Sequence, residues 1–590
     1  MSRFKSGIDR FQLSLIPTYL DDLIDKNADV RVIDAFVDSL DLVELGFKNS
    51  SPSNKGQKVY NPADLLKLYL FGYKSGVRSS RKLMYQAKNN IEFIWLLHGL
   101  KPDFRTISDF RKNNKDVLKS ILVQFNLDCN ELNLISSIQS QDGTKVKAVN
   151  SKDNNFTASK LDDRRKHATE HVNQYLDLMD LNDELESKLQ YMSESQKVKF
   201  MIDNLDSLIS SDNFDKSKCL DDLDKIKSKL DFLDSIEDKM IKDGSTQVSL
   251  NDKDSRLMPN NGKFEVSYNN QVLVDTKSHI VTNFKLGNNP ADLGSIHDIS
   301  KETKDIFNMD TLTNITDKGY NSNDDMVNCL KDGIIPDVTP LKGKDTFTLE
   351  TDYVKHNITD DMINSSNPDD IKACLESVII PNIYKDNITS IEIKDVNVYE
   401  DVDEDTDLDL SDNEMRDLAM KDNCFVRNKK LNKVYCPMGE ILRQKSTNSK
   451  GIRYCNKLAC KNCKNPCCNS SYKTVDFSLN QTISYTRNSN TSNKKKSKKK
   501  KKTIKKIIFN FKPKQDNLKI RMQTSEHCHA QLKFWDNSRY LLLKGIDKGT
   551  AELSLYYCAY NIRRVINIIG PNELIKYFKE KKLKKELSIA

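Results

Sequence analysis

Apolar and polar residues alternate along several stretches of the chain, and this alternation predicts β-strands. The clearest stretches are residues 138–142, 263–275 and 278–287, which are bounded by turn-forming residues. Residues 311–322 predict a strand that ends at an aspartate, then a Lys-Gly turn and the start of a helix. Residues 332–340 predict one more strand. Strands that lie this far apart and alternate with helical stretches indicate an α/β arrangement.

Helical spacing of apolar residues dominates both ends of the chain. Residues 61–76 open with Asn-Pro, which is typical of a helix start, and residues 78–100 and 105–114 continue with the same period. Near the C terminus, residues 519–535 and 548–570 also predict helices. The strands therefore lie between a helical N-terminal region and helices that return late in the chain.

A second helical pattern interrupts the predicted strands. Leucine and methionine residues lie three, four or seven positions apart over residues 181–192 and 220–240, with charged residues between them. This spacing predicts antiparallel helices or a short coiled coil inserted at 155–245. We interpret the insertion as a structural or interaction arm.

Length and charge indicate a chain of several parts. The 590 residues are too many for one hydrophobic core, so several domains or large insertions are expected. The net charge of +8 hides two opposite blocks, with nine acidic residues in 400–414 and eight lysines in 494–502. Blocks of like charge are usually solvated, and a lysine run also attracts phosphates. We interpret the lysine run as a flexible tether.

The cellular compartment of the protein can be inferred from its cysteines and from its lack of long apolar runs. No secretory signal opens the sequence, and no apolar run approaches the length of a membrane span. Six of the thirteen cysteines fall within residues 436–468. In a large chain without a secretory signal, such clustering favours metal binding or reduced thiols over disulfides. The cytoplasm is the expected compartment.

Three acidic residues are candidates for metal chemistry because of where they fall. Asp142 and Asp317 each end a predicted strand, and Glu526 lies on a late helix with Lys533 two turns further along. Phosphoryl transfer with two divalent cations needs carboxylates that converge from rigid elements. For each residue taken singly, the simpler interpretation is a turn or surface acid, and for Asp142 the following glycine favours a turn at the end of the strand.

Basic residues accompany the N-terminal helices. Arg78, Arg81, Lys82, Arg105 and Arg111 fall on or beside the predicted helices of residues 61–114. Short basic helices are able to dock on DNA. The alternative is an ordinary helical domain with a solvated basic face, and the residues alone favour that alternative.

Several motifs together resemble DDE transposases of bacterial insertion sequences. They occur in that family's order: DGTKVKA, DSRLMPNNGKFEVSYNNQVLVD, NNPADLG, ITDKGYNS, then SEHCHAQLKFW and the helix that follows it. The stretch from NPADLLKLYLFGY through RSSR to RTISDFRKN is similar to that family's N-terminal domain. The resemblance spans most of the chain and is weakest at 155–250 and 341–430.

The resemblance implies an RNase H-like mixed sheet with flanking helices, in a chain of six parts. An all-α DNA-binding domain is expected first, and the core is expected in three pieces separated by a helical insertion and by a cysteine-containing insertion with the acidic and lysine-rich segments. These parts, in chain order, are residues 1–130, 131–154, 155–250, 251–340, 341–510 and 511–590.

The resemblance also assigns roles to residues. Asp142, Asp317 and Glu526 are expected to bind two Mg²⁺ or Mn²⁺ ions, which activate water and then a DNA 3′-hydroxyl for attack on a phosphodiester. Arg521 and Lys533 are expected to contact DNA beside them, as are Arg81 and Arg111 in the N-terminal domain. Tyr320, in the Asp-Lys-Gly-Tyr motif, is expected to shape the site.

Some positions depart from the family's pattern or leave alternatives open. Where the family often has His-Pro-Phe-Gly after its glutamate, Cys528, His529 and Ala530 stand in this chain. Asp275 also ends a predicted strand and Asp325 follows shortly after Tyr320, so each is an alternative second ligand.

The cysteine cluster matches the family's cysteine-bearing insertion. Cys-x2-Cys spacing lets two sulfurs bind one zinc ion from a tight turn. The predicted ligands of a structural zinc are Cys436, Cys460, Cys463 and Cys467, with Cys468 as a substitute. The alternative is a group of reduced cysteines without metal.

The predicted function is an active transposase that cuts and joins DNA at the ends of an insertion sequence. Its expected partners are double-stranded DNA, namely terminal inverted repeats and target DNA, and a second copy of the chain in a synaptic complex. A bacterial, nucleoid-associated cytoplasmic location and no membrane association are expected. The alternatives are a non-catalytic or domesticated DNA-binding protein and an RNase H-like nuclease that cuts without joining.

Overall fold

The structure is a computed structural model. It describes residues 19–51, 58–176, 192, 194–208, 216–243, 245–260, 262–401, 411–429, 433–448, 451–456, 459–460, 463, 472–477, 482–485, 499–532 and 539–589. The chain forms two compact units. The first comprises Met1–Asn150, Leu257–Lys394 and Lys505–Ala590, and the second comprises Ser151–Arg256 and Asp395–Ile504.

The N-terminal region of the first unit is helical, as predicted. The Asn61 side chain caps the second helix by accepting a hydrogen bond from the Ala63 amide at 3.0 Å, and proline occupies the first position of that helix. The helices are α1 (Asp29–Asp38), α2 (Pro62–Lys74), α3 (Ser80–Asn89), α4 (Ile91–Leu96), α5 (Phe104–Asn113) and α6 (Leu118–Glu131).

The next segments form the first strand and then the first half of the second unit. In that half, three helices pack together through buried residues such as Val172, Met201 and Leu223, as the apolar spacing predicted. Leu181, Leu185 and Leu189 of the same pattern lie outside the described residues. The elements are β1 (Ile138–Lys147), β2 (Asn155–Thr157), α7 (Ala158–Leu176), α8 (Glu194–Leu208), α9 (Lys216–Lys242) and β3 (Gln247–Ser249).

The chain then returns to the first unit and completes its sheet. The predicted strands and helices between residues 263 and 340 are all observed. These elements are β4 (Arg256–Asn260), β5 (Lys263–Asp275), β6 (Val281–Gly287), α10 (Ile296–Ile306), β7 (Leu312–Thr316), α11 (Asn323–Lys331) and β8 (Ile334–Val338).

The central sheet of the first unit is mixed. Its strand order is β4-β5-β1-β7-β8, and β6 also pairs with β5. Strand β1 runs antiparallel to β5, which in turn runs antiparallel to β6, whereas β1, β7 and β8 are parallel to one another. This α/β arrangement, with helices and several sheets, agrees with the predicted fold class at that level.

Part of the predicted 341–510 insertion packs into the first unit. The strand of residues 347–352 pairs antiparallel with the strand that ends at Phe511, and Leu349, Ile507 and Phe509 join the buried core beneath them. These elements are β9 (Phe347–Asp352), α12 (Asp360–Asn364), α13 (Pro368–Glu376) and β10 (Ile388–Asp401), with β17 (Lys499–Phe511) returning between β10 and β9.

The rest of that insertion belongs to the second unit. Six strands pair in the order β15-β14-β13-β12-β11-β16 over a small core that includes Phe425, Tyr454 and Phe477. The elements are α14 (Asp412–Lys421), β11 (Cys424–Asn428), β12 (Lys433–Tyr435), β13 (Ile441–Asn448), β14 (Gly451–Cys455), β15 (Thr474–Phe477) and β16 (Ile483–Tyr485).

Three helices end the chain: α15 (Gln515–Ala530), α16 (Ile546–Ile569) and α17 (Pro571–Ile589). Phe36 of α1 contacts both Phe125 of α6, with ring centroids 5.1 Å apart, and Phe578 of α17, at 5.3 Å. The same continuous core includes Tyr557 of α16 and Val146 of β1. The N-terminal helices therefore share one core with the sheet and the C-terminal helices, which differs from the separate all-α domain predicted.

Two buried arginines lie near the buried carboxylate of Glu552 in α16. Arg111 is 5% exposed and donates a hydrogen bond to the Tyr73 hydroxyl at 3.0 Å, whereas Arg78 Nη1 lies 3.4 Å from Glu552 Oε1. Burial raises the pKa of Glu552, and Arg111 and Arg78 oppose that rise. The prediction that Arg111 contacts DNA is therefore wrong for this structure, because its guanidinium group is enclosed by the protein.

Among the helices of the described residues, none combines the length and the apolar composition that a membrane span requires.

Candidate active site

Two neighbouring parallel strands bring Asp142 and Asp317 together. Ser140 of β1 pairs with Ile315 of β7, so continuing this register by two residues places Asp142 beside Asp317. Strand β7 ends at Thr316, and the Asp317 side chain caps the short turn that follows by accepting a hydrogen bond from the Gly319 amide at 2.7 Å. Both aspartates therefore lie at the end of the parallel ladder.

The predicted turn after Asp142 is wrong. Strand β1 continues through Asp142 and Gly143 to Lys147, with Asp142 opposite Val272 of β5 and Gly143 opposite Gln271. Asp142 is half-buried in the middle of β1, at the point where the neighbouring strand β7 ends.

The surroundings of Asp142 disfavour its charged form. Burial raises its pKa to about 6, and the nearby carboxylates of Asp317 and Asp292 add to the rise. Arg521 and a 2.9 Å hydrogen bond from the Gly143 amide oppose it. Three carboxylates lie near one another here, and a divalent cation relieves the mutual repulsion of such groups.

Helix α15 lies across the sheet at this point. Arg521 is close enough to Asp142 to lower its pKa, and His529 Nε2 lies 3.6 Å from Asp142 Oδ2. Glu526 falls between these two residues along the helix, with its side chain exposed to solvent. His527 is exposed and His529 is buried, as expected for residues two apart on a helix. Lys533 lies outside the described residues.

A hydrogen-bond chain that the sequence did not single out connects the two aspartate-bearing segments. Asp292 Oδ1 accepts from Gln271 Nε2 at 2.7 Å, and Gln271 Oε1 accepts from the Tyr320 hydroxyl at 2.6 Å. Asp292 Oδ1 also lies 3.4 Å from Lys145 Nζ. Tyr320 is 1% exposed, and burial raises its pKa well above the ordinary value, so it remains a hydroxyl donor. This chain joins β1 and β5 to the turn after Asp317.

Gly143 lies at a closely packed position of β1. A Cβ atom at this position falls 2.5 Å from both Asp292 Oδ1 and Gln271 Nε2, inside the hydrogen-bond chain. The Asp-Gly pair in the sequence therefore reports close packing within a strand, and the NNPADLG motif was the available sign that Asp292 has a role.

Replacing Gly143 with alanine is expected to lower the free energy of unfolding by about 1–3 kcal/mol, because the new methyl group displaces Asp292 and Gln271. Urea titration of the purified protein measures the loss. Gly287→Ala is the matched control, since the nearest atom to its added Cβ is a carbonyl oxygen at 3.9 Å. Equal stability of the two variants contradicts the packing argument.

The two alternative metal ligands have structural roles. Asp275 is fully buried, and its two oxygens accept hydrogen bonds from the amides and hydroxyls of Ser136 and Ser278. Asp325 accepts from the amides of Ile296 and His297 at the start of α10. These carboxylates hold a turn and a helix start, which leaves Asp317 as the better candidate for the second ligand.

Two thiols of the cysteine cluster in the second unit, which we call the cysteine turn (Cys436, Cys460 and Cys463), accept hydrogen bonds from backbone amides. Cys436 Sγ accepts from the Met438 amide at 3.4 Å, and Cys460 Sγ accepts from the Lys473 amide at 3.5 Å. Burial raises the pKa of the Cys436 thiol, and the nearby Cys460 adds to the rise. Cys463 is a further unbridged cysteine, and its amide donates to the Cys460 carbonyl at 3.4 Å. Cys467 and Cys468 lie outside the described residues.

Within the part of the chain that the structure describes, no three His, Cys, Asp or Glu side chains lie close enough together to hold one metal ion.

Arg81 is the remaining predicted DNA contact. Its side chain is exposed on α3, and its guanidinium carbon lies 4.8 Å from the centre of the Phe104 ring. Unlike Arg111, it is therefore available to a partner.

A family model described as a transposase domain (DUF772) matches residues 18–113. No curated protein and no solved structure matches the chain.

Proposed function

We propose that this protein is a DDE-type transposase, which cleaves DNA at the ends of a mobile element and joins those ends to a new site. The observation that carries the proposal is the position of Asp142 beside Asp317 at the end of two parallel strands, beneath a helix that bears Arg521 and Glu526. Adjacent carboxylates on rigid strands are what phosphoryl transfer with divalent cations requires.

Two further features support this proposal. The strand order β6-β5-β1-β7-β8, antiparallel in its first half and parallel in its second, is the arrangement expected of an RNase H-like core. The transposase-domain match covers helices α1 to α5, and these helices pack in the same core as β1. The candidate site and the matched segment are therefore parts of one folded unit.

Asp142, Asp317 and Glu526 are the residues proposed to hold two Mg²⁺ or Mn²⁺ ions. The three side chains do not converge closely enough in this structure to hold one ion, so the support lies in their chemistry. Carboxylate oxygens suit these cations, and Asp317 and Asp292 add to the rise that burial causes in the pKa of Asp142. When bound, the cations lower the pKa of the attacking hydroxyl and stabilise the charge that builds on the phosphate. The solvent-exposed side chain of Glu526 is free of ion pairs in the described structure, so it is available as the third ligand.

The other residues at this edge position the reactants. Arg521 lies beside Asp142 and is proposed to neutralise a DNA phosphate there. The chain from Asp292 through Gln271 to Tyr320 holds the turn after Asp317 against β1 and so keeps the two aspartates in register. Lys533, seven residues after Glu526 in the sequence, is also proposed to contact DNA.

The test is a cleavage and joining assay with the full-length protein. Duplexes from the DNA on each side of the gene, labelled at one end, are incubated with a target plasmid and Mg²⁺ or Mn²⁺. Joined products that require the divalent cation are expected. EDTA is the control for the cation, and scrambled duplexes of the same composition are the control for sequence.

The outcomes separate the three candidate functions. Cleavage without joining favours a nuclease, and binding without cleavage favours a non-catalytic DNA-binding protein. Either result rules out the proposed transposase activity on these ends. We also propose that a homodimer brings the two element ends together and that the protein associates with the bacterial nucleoid.

We also propose that the cysteine turn holds one structural zinc ion through Cys436, Cys460, Cys463 and Cys467. The support is the pair of amide-to-sulfur hydrogen bonds at Cys436 and Cys460, which stabilise thiolates of the kind that zinc binds. A site filled by four cysteines has no open position, so its role is to hold the fold of the second unit.

Cys460→Ser is expected to lower the zinc content of the purified protein from one ion per chain to near zero, because a hydroxyl is a poor replacement for a zinc-bound thiolate. Plasma mass spectrometry of protein purified without chelators measures the content. Cys455→Ser, at a nearby cysteine in β14 outside the proposed set, is the matched control. Equal zinc content in the two variants contradicts the ligand assignment.

A further inference from the structure

Helix α15 carries Arg521 and Glu526, yet no residue of its first half is buried. The structure describes the whole helix, and from Gln515 to Gln523 each residue is exposed or half-buried. The buried residues all lie in the second half, and they are Thr524, Ser525, Cys528 and His529. Packing against the sheet therefore holds the second half of α15, and the direction of the first half depends on other contacts.

A carboxylate from the sheet holds the start of this helix. Asp337 of β8 is fully buried, and its Oδ1 accepts a hydrogen bond from the Lys514 amide at 3.2 Å. Its Oδ2 accepts from the side-chain amide of Asn517 at 2.7 Å. Lys514 directly precedes the helix, and its own side chain makes no capping hydrogen bond. Asp337 therefore serves α15 as an N-cap residue does, but from another element of the fold.

The burial of Asp337 indicates that these hydrogen bonds matter to the fold. Burying a carboxylate costs free energy unless its oxygens accept hydrogen bonds. Burial raises the pKa of Asp337, and the hydrogen bonds from the Asn517 side chain and the Lys514 amide oppose that rise. A fully buried position near the end of a strand suits an apolar side chain, so a carboxylate there favours a role for its two hydrogen bonds.

The register of the sheet places Asp337 on the same face as Asp142. Ile315 of β7 pairs with Ser140 of β1 on one side and with Asp337 of β8 on the other. Asp142 follows Ser140 by two residues, and side chains two apart on a strand point to the same face. Helix α15 covers this face, with Asp337 at its start and Asp142 near His529 in its last turn.

The position of Asp337 makes it an effective restraint on the tilt of α15. The buried part of the helix, from Thr524 to His529, is only about 8 Å long, and Asn517 lies about 10 Å before it. Without a contact at the start, the helix is free to tilt about its buried turns. A tilt of about 10° moves the side chains of Arg521 and Glu526 by about 1 Å.

We propose that Asp337 is a positioning residue for the DNA cleavage and joining reaction, because it fixes the tilt of α15 and so the places of Arg521 and Glu526 relative to Asp142. The assignment rests on the proposed function. Asp337 is fully buried, so it acts through the helix and not on the DNA itself. A misplacement of about 1 Å at a reacting group costs about a hundredfold in rate, so the restraint is worth a measurable part of the reaction.

The test compares Asp337→Ala with Asp337→Asn in the full-length protein. Alanine removes both acceptors. The asparagine oxygen still accepts from the Lys514 amide, and its amide group donates to the Asn517 oxygen once that side chain turns over. Asn367→Ala is the matched control, because Asn367 caps α13 of the same unit by accepting from the Asp369 amide at 2.9 Å.

Hydrogen exchange in EDTA, followed by mass spectrometry, measures the hold on α15 without any reaction. Asp337→Ala is expected to speed exchange in the first half of α15 at least about fivefold, whereas exchange in α6 stays within about twofold of the wild type. Asp337→Asn is expected to match the wild type in both helices. Asn367→Ala is expected to speed exchange in α13 and to leave α15 unchanged.

The rate of DNA cleavage with Mg²⁺, at a temperature where every variant is folded by circular dichroism, measures the effect on the reaction. Asp337→Ala is expected to cleave at least about tenfold more slowly than the wild type. Asp337→Asn and Asn367→Ala are expected to stay within about threefold of the wild type. Rescue by asparagine, together with an exchange effect confined to α15, distinguishes positioning from a general loss of stability.

Three results overturn the assignment. Unchanged exchange in α15 of Asp337→Ala shows that other contacts hold the start of the helix. Equal acceleration in α15 and α6 shows a general loss of stability, and faster exchange in α15 at an unchanged cleavage rate shows that its tilt does not affect the reaction. A wild-type protein that cleaves no DNA contradicts the proposed function instead, and the exchange in EDTA then still decides whether Asp337 holds α15.

Discussion

Asp142→Asn is expected to abolish DNA cleavage and joining, with a fall in rate of at least about a thousandfold, while making the metal-free protein more stable. Loss of a carboxylate removes a ligand from the proposed metal site, and the remaining ligands bind the cation weakly. Burial raises the pKa of Asp142 to about 6, so its charged form is a burden on the fold near neutral pH. The asparagine oxygen still accepts the hydrogen bond from the Gly143 amide.

The size and pH dependence of the stability change follow from that pKa. The rise in the pKa of Asp142 from its ordinary value of 3.8 to about 6 corresponds to about 2–3 kcal/mol, and its sign is destabilising because the folded state favours the protonated carboxyl group. The penalty is absent below about pH 4, develops between pH 4 and 6, and is complete above pH 6. Wild-type protein in EDTA is therefore expected to lose stability over that interval, and the asparagine variant is not.

Thermal unfolding with and without Mn²⁺ separates this explanation from simple damage to the fold. Wild-type protein is expected to gain stability from the cation, and the Asp142→Asn variant is expected to gain little. Asp345→Asn, at an exposed loop residue of the same unit, is the control and is expected to resemble the wild type in both measurements. An inactive Asp142→Asn variant that is less stable than the wild type in EDTA contradicts the argument.

Glu552→Ala is expected to lower the free energy of unfolding of the first unit by about 3 kcal/mol or more. The change removes the acceptor that holds the Leu542 and Leu543 amides at 2.9 and 3.1 Å, and it also removes the carboxylate that lies 3.4 Å from Arg78. A loss of this size is a large fraction of the stability of a typical domain. Urea titration followed by tryptophan fluorescence measures it.

Asp547→Ala is the matched control for the buried carboxylate. Asp547 lies five residues earlier on α16 and pairs with Lys115 at 3.3 Å, with its side chain 77% exposed. Exposed pairs contribute little, so a change below about 0.5 kcal/mol is expected. Similar losses in the two variants mean that burial of the carboxylate does not determine its contribution.

The sequence predicted the elements around the candidate site well because their patterns are local. Alternation defined β5 and β6, and the Asp-Lys-Gly turn placed Asp317 directly after β7. At Asp142 the same local reasoning failed, because an Asp-Gly pair is a turn signal in most settings. Only the position of Asp292, far along the chain, shows why a glycine is needed within that strand.

The spacing of apolar and polar residues could not predict contacts between residues that lie far apart in the sequence. Arg111 has the spacing of a surface cation in α5, but it is buried against Tyr69 and Tyr73 of α2, with the charge of Glu552, more than four hundred residues later, also nearby. Strand β9 pairs with β17, although residues 395–504, which belong to the second unit, separate the two strands in the sequence. No local sequence signal marks this pairing. The zinc ligands and the role of Glu526 stay predictions.

The core shared by both ends of the chain has a consequence during synthesis. Helix α2 leaves the ribosome about 470 residues before α16, which corresponds to roughly half a minute to a minute and a half at ordinary translation rates. Until then Tyr69, Tyr73 and their neighbours lack the apolar surface that covers them in the finished protein. The apolar surface of the nascent N-terminal helices therefore stays exposed to solvent or to chaperones until α16 is made. A chain whose translation stops before α16 cannot complete the core that these helices share with it.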